Sequence, residues 1–237
     1  MNFRLLCTFV VLLFGIHTCR ANDTSKPSPE AINGVLDLRN QSFSDKISLN
    51  GQWKFYWHRL LAPGEKPNEK PIIVDFPFKW NGYKLNGKKL PSFGYATYEL
   101  IVLLPKNKPQ LRLAMPDVYT SYNLFFNGEK MAINGITDTT ADKFEPHWLY
   151  HGANVPNTDT LHILLQIANF VHSKAGVSEP LILGEKGAIE LARYRTTAID
   201  LLLTGCLFMG GLFFFRIIPV RPPRQDHFAV LAFLHDV

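Results

Sequence analysis

Along residues 121–126 the side chains alternate, sending Tyr122, Leu124 and Phe126 to one face and Asn123 and Phe125 to the other. That period of two is what a β-strand requires. Asn127 and Gly128 follow, and an Asn-Gly pair signals a hairpin because both central residues of a type I′ turn need positive φ. Alternation resumes from Glu129 through Met131 and Ile133 and stops at a second such pair, Asn134 and Gly135. Residues 47–58 place Trp53, Phe55 and Trp57 on one face and Lys54, Tyr56 and His58 on the other; residues 94–104 align Ala96, Tyr98, Leu100, Val102 and Leu104. Shorter apolar runs at 71–76, 111–115, 160–168 and 180–183 bring the total to about eight strands bounded by turn residues. No helical pattern intervenes before residue 198, so the prediction is an all-β antiparallel sandwich of the jelly-roll kind.

The flanks have a different pattern. Residues 1–21 have the three parts of a secretory signal, with Arg4 in the n-region and an apolar stretch too short to span a bilayer. A polar lead (22–34), an exported domain (35–185) and a joint (186–197) precede an apolar segment at 198–220, long enough for a transmembrane helix. Arg216, Arg221 and Arg224 put its far end in the cytoplasm by the positive-inside rule. After a turn at 221–226 a second apolar run, 227–237, has about half the length of a span, which suggests a truncated second helix.

Composition narrows the functions. The formal charge is +5, from 25 Lys and Arg against 20 Asp and Glu. Apart from Lys79, Lys84, Lys88 and Lys89 the charges are interspersed, which argues against nucleic acid as a partner. Cys7, Cys19 and Cys206 all lie outside the domain. Neither disulfides nor a cysteine-based zinc site or nucleophile is therefore available to it.

Several ordered stretches carry a resemblance: LNGQWKFYWHRLLAPGE at 49–65, FPFKWNG at 76–82, GYATYEL at 94–100, LFFNGEKMAINGITDTT at 124–140, IANFVHSKAG at 167–176 and PLILG at 180–184. Over about residues 35–237 the chain resembles bacterial seven-transmembrane receptors with diverse intracellular signalling modules, in their extracellular domain and first membrane segments. The resemblance implies a galactose-binding-domain-like jelly roll, similar to the sugar-binding domain of family 2 glycoside hydrolases. It also implies sensory input to a bacterial inner-membrane signalling protein, with the domain in the periplasm or outside the cell. The chain departs from the family pattern at Ala168, Asn169 and Phe170, followed by His172 and only Gly176, and it lacks the further helices and the output module.

The residues themselves offer a modest set of site candidates. Trp53, Phe55 and Trp57 read as core. Trp80, Tyr83, Trp148 and Tyr150 lie among Gly, Asn, Lys and His, where loop aromatics mark ligand contact. Asn169 and His172 complete the ligand-binding candidates, with tying of a loop by hydrogen bonds the competing role. His147 and His151 have the i, i+4 spacing of zinc ligands but lack both a convincing helix and a following Glu, so no metal is expected. Asp138, Asp142 and Glu145 share one polar loop and do not form the facing pair glycoside hydrolysis needs. The expectation is a non-enzymatic domain that binds a small molecule, with carbohydrate the leading class, and requires no cofactor. A membrane-tethered protein-interaction domain is the alternative, and homodimerisation is left open for a full-length form.

Overall fold

In the computed structural model of the chain, which describes residues 28–116, 118–149 and 152–217, the alternating run at 47–58 is two strands rather than one. The cause is Gly51. Its φ is +105°, and a Cβ there would lie 2.3 Å from the backbone nitrogen of Ala31. Only a residue without a side chain lets the N-terminal segment cross here, and the crossing is held by hydrogen bonds from Ala31 N to Asn50 O (2.8 Å) and from Gln52 N to Ala31 O (2.7 Å). The chain on either side of Asn50 thus enters different sheets.

The strands, in chain order, are β1 (Val35–Asp37), β2 (Ile47–Ser48), β3 (Gly51–Trp57), β4 (Ile72–Phe76), β5 (Lys84–Leu85), β6 (Lys88–Lys89), β7 (Gly94–Leu103), β8 (Leu111–Ala114), β9 (Val118–Tyr119), β10 (Ser121–Phe126), β11 (Glu129–Asn134), β12 (Gly152–Asn154), β13 (Thr160–Asn169), β14 (Gly176–Val177) and β15 (Ile182–Glu185). A seven-stranded sheet runs β11-β10-β13-β7-β3-β4, with β1 pairing β7 in parallel; the rest of its pairings are antiparallel. A four-stranded antiparallel sheet runs β12-β8-β15-β2, and β14-β9 and β5-β6 are two-stranded pairs. The expected hairpin is β10-β11, with Asn127 and Gly128 both at positive φ.

One core lies between the two larger sheets. Trp53, Phe55, Tyr98, Leu100 and Ile163 from the first meet Ile47, Leu111, Leu113, Ala153 and Leu183 from the second in a single apolar cluster. This is a predominantly β, sandwich-like unit. The predicted core face of residues 53–57 holds, with Trp53 and Phe55 fully buried and Trp57 half-buried. On the outer face of the larger sheet a second small cluster, Tyr56, Leu61, Phe125 and Leu164, is covered by the chain after β3. There Gln166 Nε2 donates to Leu61 O at 2.8 Å.

The second unit contains a helix, α1 (Lys186–Ile217), 32 residues long. The predicted joint at 186–197 is therefore helical and continuous with the apolar segment, since Ala, Ile, Glu, Leu and Arg dominate it and no proline interrupts. At 1.5 Å per residue the helix extends about 48 Å, of which about 30 Å would suffice for a hydrocarbon core. From Leu201 to Phe213 its large apolar side chains are more than half exposed. Among the described residues it is the one helix long and apolar enough to cross a membrane. The segments expected as a signal (1–21), a cytoplasmic turn (221–226) and a truncated second helix (227–237) lie outside the described residues.

Candidate functional site

At one end of the larger sheet two asparagines fix how the connecting loops run. Asn169, at the end of β13, is fully buried. Its Nδ2 donates to Ser92 O (2.9 Å), His172 O (2.7 Å) and Lys174 O (3.1 Å), while its Oδ1 accepts from His172 N (3.0 Å). A buried amide must satisfy both its donors and its acceptor, and here the backbone of two loops does so. Thr120 Oγ1 contacts the same Oδ1 at 3.4 Å.

Asn134, at the end of β11, is 4% exposed. Its Nδ2 donates to His147 O (2.8 Å) and Thr120 O (3.3 Å), and its Oδ1 accepts from Leu149 N (3.3 Å). Gly135 beside it has φ +69°, and a Cβ there would stand 2.1 Å from Glu145 O. The second Asn-Gly pair is therefore a docking point as well as a strand end. The glycine admits the returning segment, bridged through Ile136 and Glu145, and the asparagine fastens it two residues further on.

Between these anchors stands a row of rings. Tyr119 stacks on His172 with centroids 4.6 Å apart and planes 14° from parallel, and Trp148 meets Tyr119 edge-on at 6.3 Å. Trp148 is 65% exposed, whereas Tyr119 and His172 are half-buried. Leu149 and Val171 are exposed on the same loops, and Phe93 is exposed on the segment that Asn169 ties through Ser92 O. The cavity at the foot of Trp148, lined by Pro116, Val118, Tyr122, Asn134 and His147, has room for about one water. The row is a surface platform only in part: Tyr119 and His172 each cover one face of the other, Trp148 stands at right angles to them and is the most exposed, and the ring edges carry N–H and O–H groups.

The sequence candidates thus separate. Trp148 and His172 share the platform, and Asn169 supports it from beneath by tying the loop. Trp80 does not belong to it: the residue is fully buried, 5.5 Å from Trp57 and 6.3 Å from Phe55. Tyr83 is half-buried, edge-on to Phe78 at 5.1 Å and packed on the core. Both were expected in ligand-contacting loops; their neighbours Gly82 and Asn81 are loop residues, but the rings turn inward because a Trp in a loop over an apolar core gains more by burial than by exposure. Tyr150 and His151 lie outside the described residues. Sequence reasoning missed Tyr119, Thr120 and Asn134. Asn134 carried the one available signal, a second Asn-Gly after a strand.

Two polar groupings lie elsewhere. Asp138 Oδ1 accepts from Thr140 N and Oγ1, each at 3.0 Å, a turn-making role that holds its carboxyl below the usual range. On the outer sheet face Glu99 accepts from His162 Nε2 and from Tyr56 Oη, both at 2.8 Å, with Lys54 Nζ at 3.7 Å. The His162 bond, with help from Tyr56 and Lys54, keeps this carboxyl below its ordinary value despite partial burial, and burial together with Glu99 pushes the Tyr56 hydroxyl up. A carboxylate held ionised by three donors is a cross-strand clasp and not a proton donor.

No protein-family model and no curated protein matches this sequence. Among solved structures the chain is similar to a beta-glucuronidase of an uncultured Clostridium species, at 17% identity and a TM-score of 0.46, over 60% of this chain and 29% of that one. It is also similar to the beta-glucuronidases of Faecalibacterium prausnitzii (13% identity, TM-score 0.46, 59% of this chain and 31% of that one) and Ruminococcus gnavus (14%, 0.44, 58% and 27%). The chain spans less than a third of the length of each.

Proposed function

We propose that the chain is the sensory input portion of a membrane signalling receptor, whose exported domain, a galactose-binding-like jelly roll, binds a small ligand with carbohydrate as the leading class. The observation that carries this reading is the Trp148, Tyr119 and His172 platform, exposed yet held by buried Asn169 and Asn134. Buried amides spent on fixing loop backbones are the support a preorganised binding surface requires. Rings with an apolar face and a polar edge suit the apolar C–H faces and hydroxyl edges of a sugar, at a site that needs no carboxylate pair and no metal.

The chain also offers a route onward. Tyr119 follows β8 by five residues; β8 pairs along its length with β15, through Ala114 with Ile182 and Leu111 with Glu185. Lys186, the next residue, begins α1. A ligand that prefers one arrangement of β9 and Thr120 would bias β8 and β15 together, and transmission requires only that differential affinity.

Thermal unfolding of the full chain in detergent, with and without a panel of neutral, amino and acidic sugars, tests the reading. Stabilisation that grows with ligand concentration and is lost in Trp148→Ala supports it. No shift with any sugar overturns the carbohydrate assignment. The second reading, a tethered protein-interaction domain, is favoured by exposed Phe93, Leu149 and Val171 beside the platform, and would show instead as a partner cross-linked through those positions.

A further inference from the structure

Residues 196–215 of α1, between Arg195 and Arg216, carry a single charged side chain, Asp200. At 1.5 Å per residue this stretch is about 30 Å long, the thickness of a hydrocarbon core. With the two arginines at the surfaces, Asp200 lies about 7 Å inside. A carboxylate facing lipid at that depth is costly, and such residues turn toward a partner.

α1 itself supplies none. Asp200 is exposed and makes no hydrogen bond or ion pair among the described residues. A carboxylate only accepts, and the N–H groups beyond the first turn of a helix are already bonded within it. Hydroxyls have an internal outlet that Asp200 lacks, as Thr196 Oγ1 shows by donating to Ala192 O at 3.2 Å.

The helix period gathers the polar side chains on one side. At about 100° per residue, Arg193, Leu207 and Gly211 lie within about 20° of Asp200 around the axis, Thr196 and Thr204 within about 40° and Thr197 within about 60°. Every hydroxyl and charge between residues 196 and 213 is therefore on that side. The opposite side presents Ala198, Leu202, Met209 and Phe213. An apolar side of this kind suits lipid, whereas one with donors, an acceptor and a glycine suits another helix.

We propose that this polar side pairs α1 with the α1 of a second copy of the chain. The side is self-complementary: it carries an acceptor, Asp200, and donors, Thr197 and Thr204, and a two-fold contact needs residue i to meet j while j meets i. Copies inserted in the same orientation are parallel, so Asp200 of each reaches the Thr204 hydroxyl one turn along the other, and Gly211 admits close backbone approach further on. The second copy has no cation at the depth of Asp200, since Arg193 and Arg195 precede the apolar stretch. The seam is thus hydrogen-bonded and not an ion pair. The proposal rests on α1 crossing a membrane and is independent of any ligand. Paired helices supply the two-arrangement element that a sensory role requires.

The test places donor and acceptor dyes at the C-terminus of the full chain, reconstitutes it in lipid vesicles, and follows energy transfer as the protein-to-lipid ratio is varied, with carbonate extraction to confirm insertion. Transfer should saturate as for a dimer. Asp200→Leu should move the midpoint to a protein density about tenfold higher, Thr204→Val should move it less, and Asp200→Asn, which keeps the hydrogen bonding without the charge, should retain pairing. Leu202→Ala, on the opposite side, should leave the midpoint where it is. Transfer no greater than random at every ratio, pairing by Asp200→Leu equal to that of the wild type, or a Leu202→Ala change as disruptive as Asp200→Leu overturns the proposal. Release of the chain by carbonate overturns the span and the pairing with it. Pairing that persists in a chain responding to no sugar leaves the seam standing and counts against the ligand reading alone.

Discussion

The domain contains two populations of aromatic rings that are indistinguishable by residue type. In the core, Trp53 stacks on Phe76 at 4.1 Å and donates its indole N–H to Leu49 O at 3.0 Å, while Phe55 touches Phe78, Tyr98 and Trp80. At the sheet end, Tyr119, His172 and Trp148 touch chiefly one another, and the hydrogen bonds that hold them come from asparagines beneath. Rings of the first kind create the fold, because their area is withdrawn from water; rings of the second kind are carried by it. The same residues in the same local sequence context can serve either way, and only the accessible area decides.

The sharpest way to break this comparison is to truncate one ring from each population. Trp53→Ala deletes a fully buried indole and leaves Leu49 O without its donor, for a cost of about 3–5 kcal/mol. At about 2–4 °C per kcal/mol for a domain of this size, the melting temperature falls by on the order of 10 °C. Trp80→Ala belongs with it. If thermal unfolding showed Trp80→Ala to be no more harmful than Trp148→Ala, the rings would not divide into a buried and a carried set.

The anchors come next. Asn169→Ala removes three donated bonds and orphans the backbone groups of the 169–174 loop, at about 2–4 kcal/mol. Asn169→Asp sharpens the point, since a carboxylate would face three carbonyl oxygens. Ionisation is then disfavoured in the folded state and the folded pKa is raised. Stability is therefore retained below the unfolded pKa of the acid and is lost as pH rises through the folded one. The Asp variant should consequently be recovered by acid where the wild type is not, an outcome read directly from melting curves across pH.

Much of the first population was legible in the sequence, and little of the second. Alternation placed Trp53, Phe55, Tyr98 and Leu100 on their buried face because strand period and core exposure are the same fact. It joined β2 to β3, since nothing in the residues of 47–58 reveals that Ala31 crosses at Gly51. It also missed β1, whose parallel partner β7 is distant in sequence, β12, and the short β5-β6 and β9-β14 pairs. For the site, Trp148, His172 and Asn169 were found by residue type and loop context, which led equally to Trp80 and Tyr83. Tyr119 was missed because it lies in a strand of two residues that exists only through its pairing with Gly176. What local pattern cannot carry is long-range pairing, and the platform is assembled from three segments distant in sequence: β9 and the loops that bear Trp148 and His172.

A smaller effect distinguishes the sheet's outer face from both ring populations. Glu99 has its folded pKa lowered, first by the His162 bond and then by Tyr56 and Lys54. A depressed acid contributes stability that is present above its unfolded pKa and lost as pH falls through the folded value. Wild-type melting temperatures should therefore decline on the acid side of the ordinary carboxylate range. Glu99→Gln, which keeps the shape and part of the hydrogen bonding, should lower stability at neutral pH and flatten that decline. An unchanged acid limb in the variant would show that the clasp contributes nothing.

The smallest expected change in stability is at Trp148, and for the function it is the most informative. The indole is 65% exposed, its ring contact is to Tyr119, and the backbone on either side is held by Asn134 through His147 O and Leu149 N. Those bonds use main-chain atoms and survive truncation of the side chain. Trp148→Ala should accordingly shift unfolding by no more than about 0.5 kcal/mol, the range of surface substitutions away from caps and buried polar groups. A protein that exposes a large aromatic ring on a loop tied by a buried asparagine, and that loses almost nothing when the ring is removed, would have no folding reason for that ring. If the variant unfolds with the wild type and still responds equally to every sugar that stabilises the wild type, the ring has no binding reason either, and the platform would have to be assigned to Tyr119 and His172 alone.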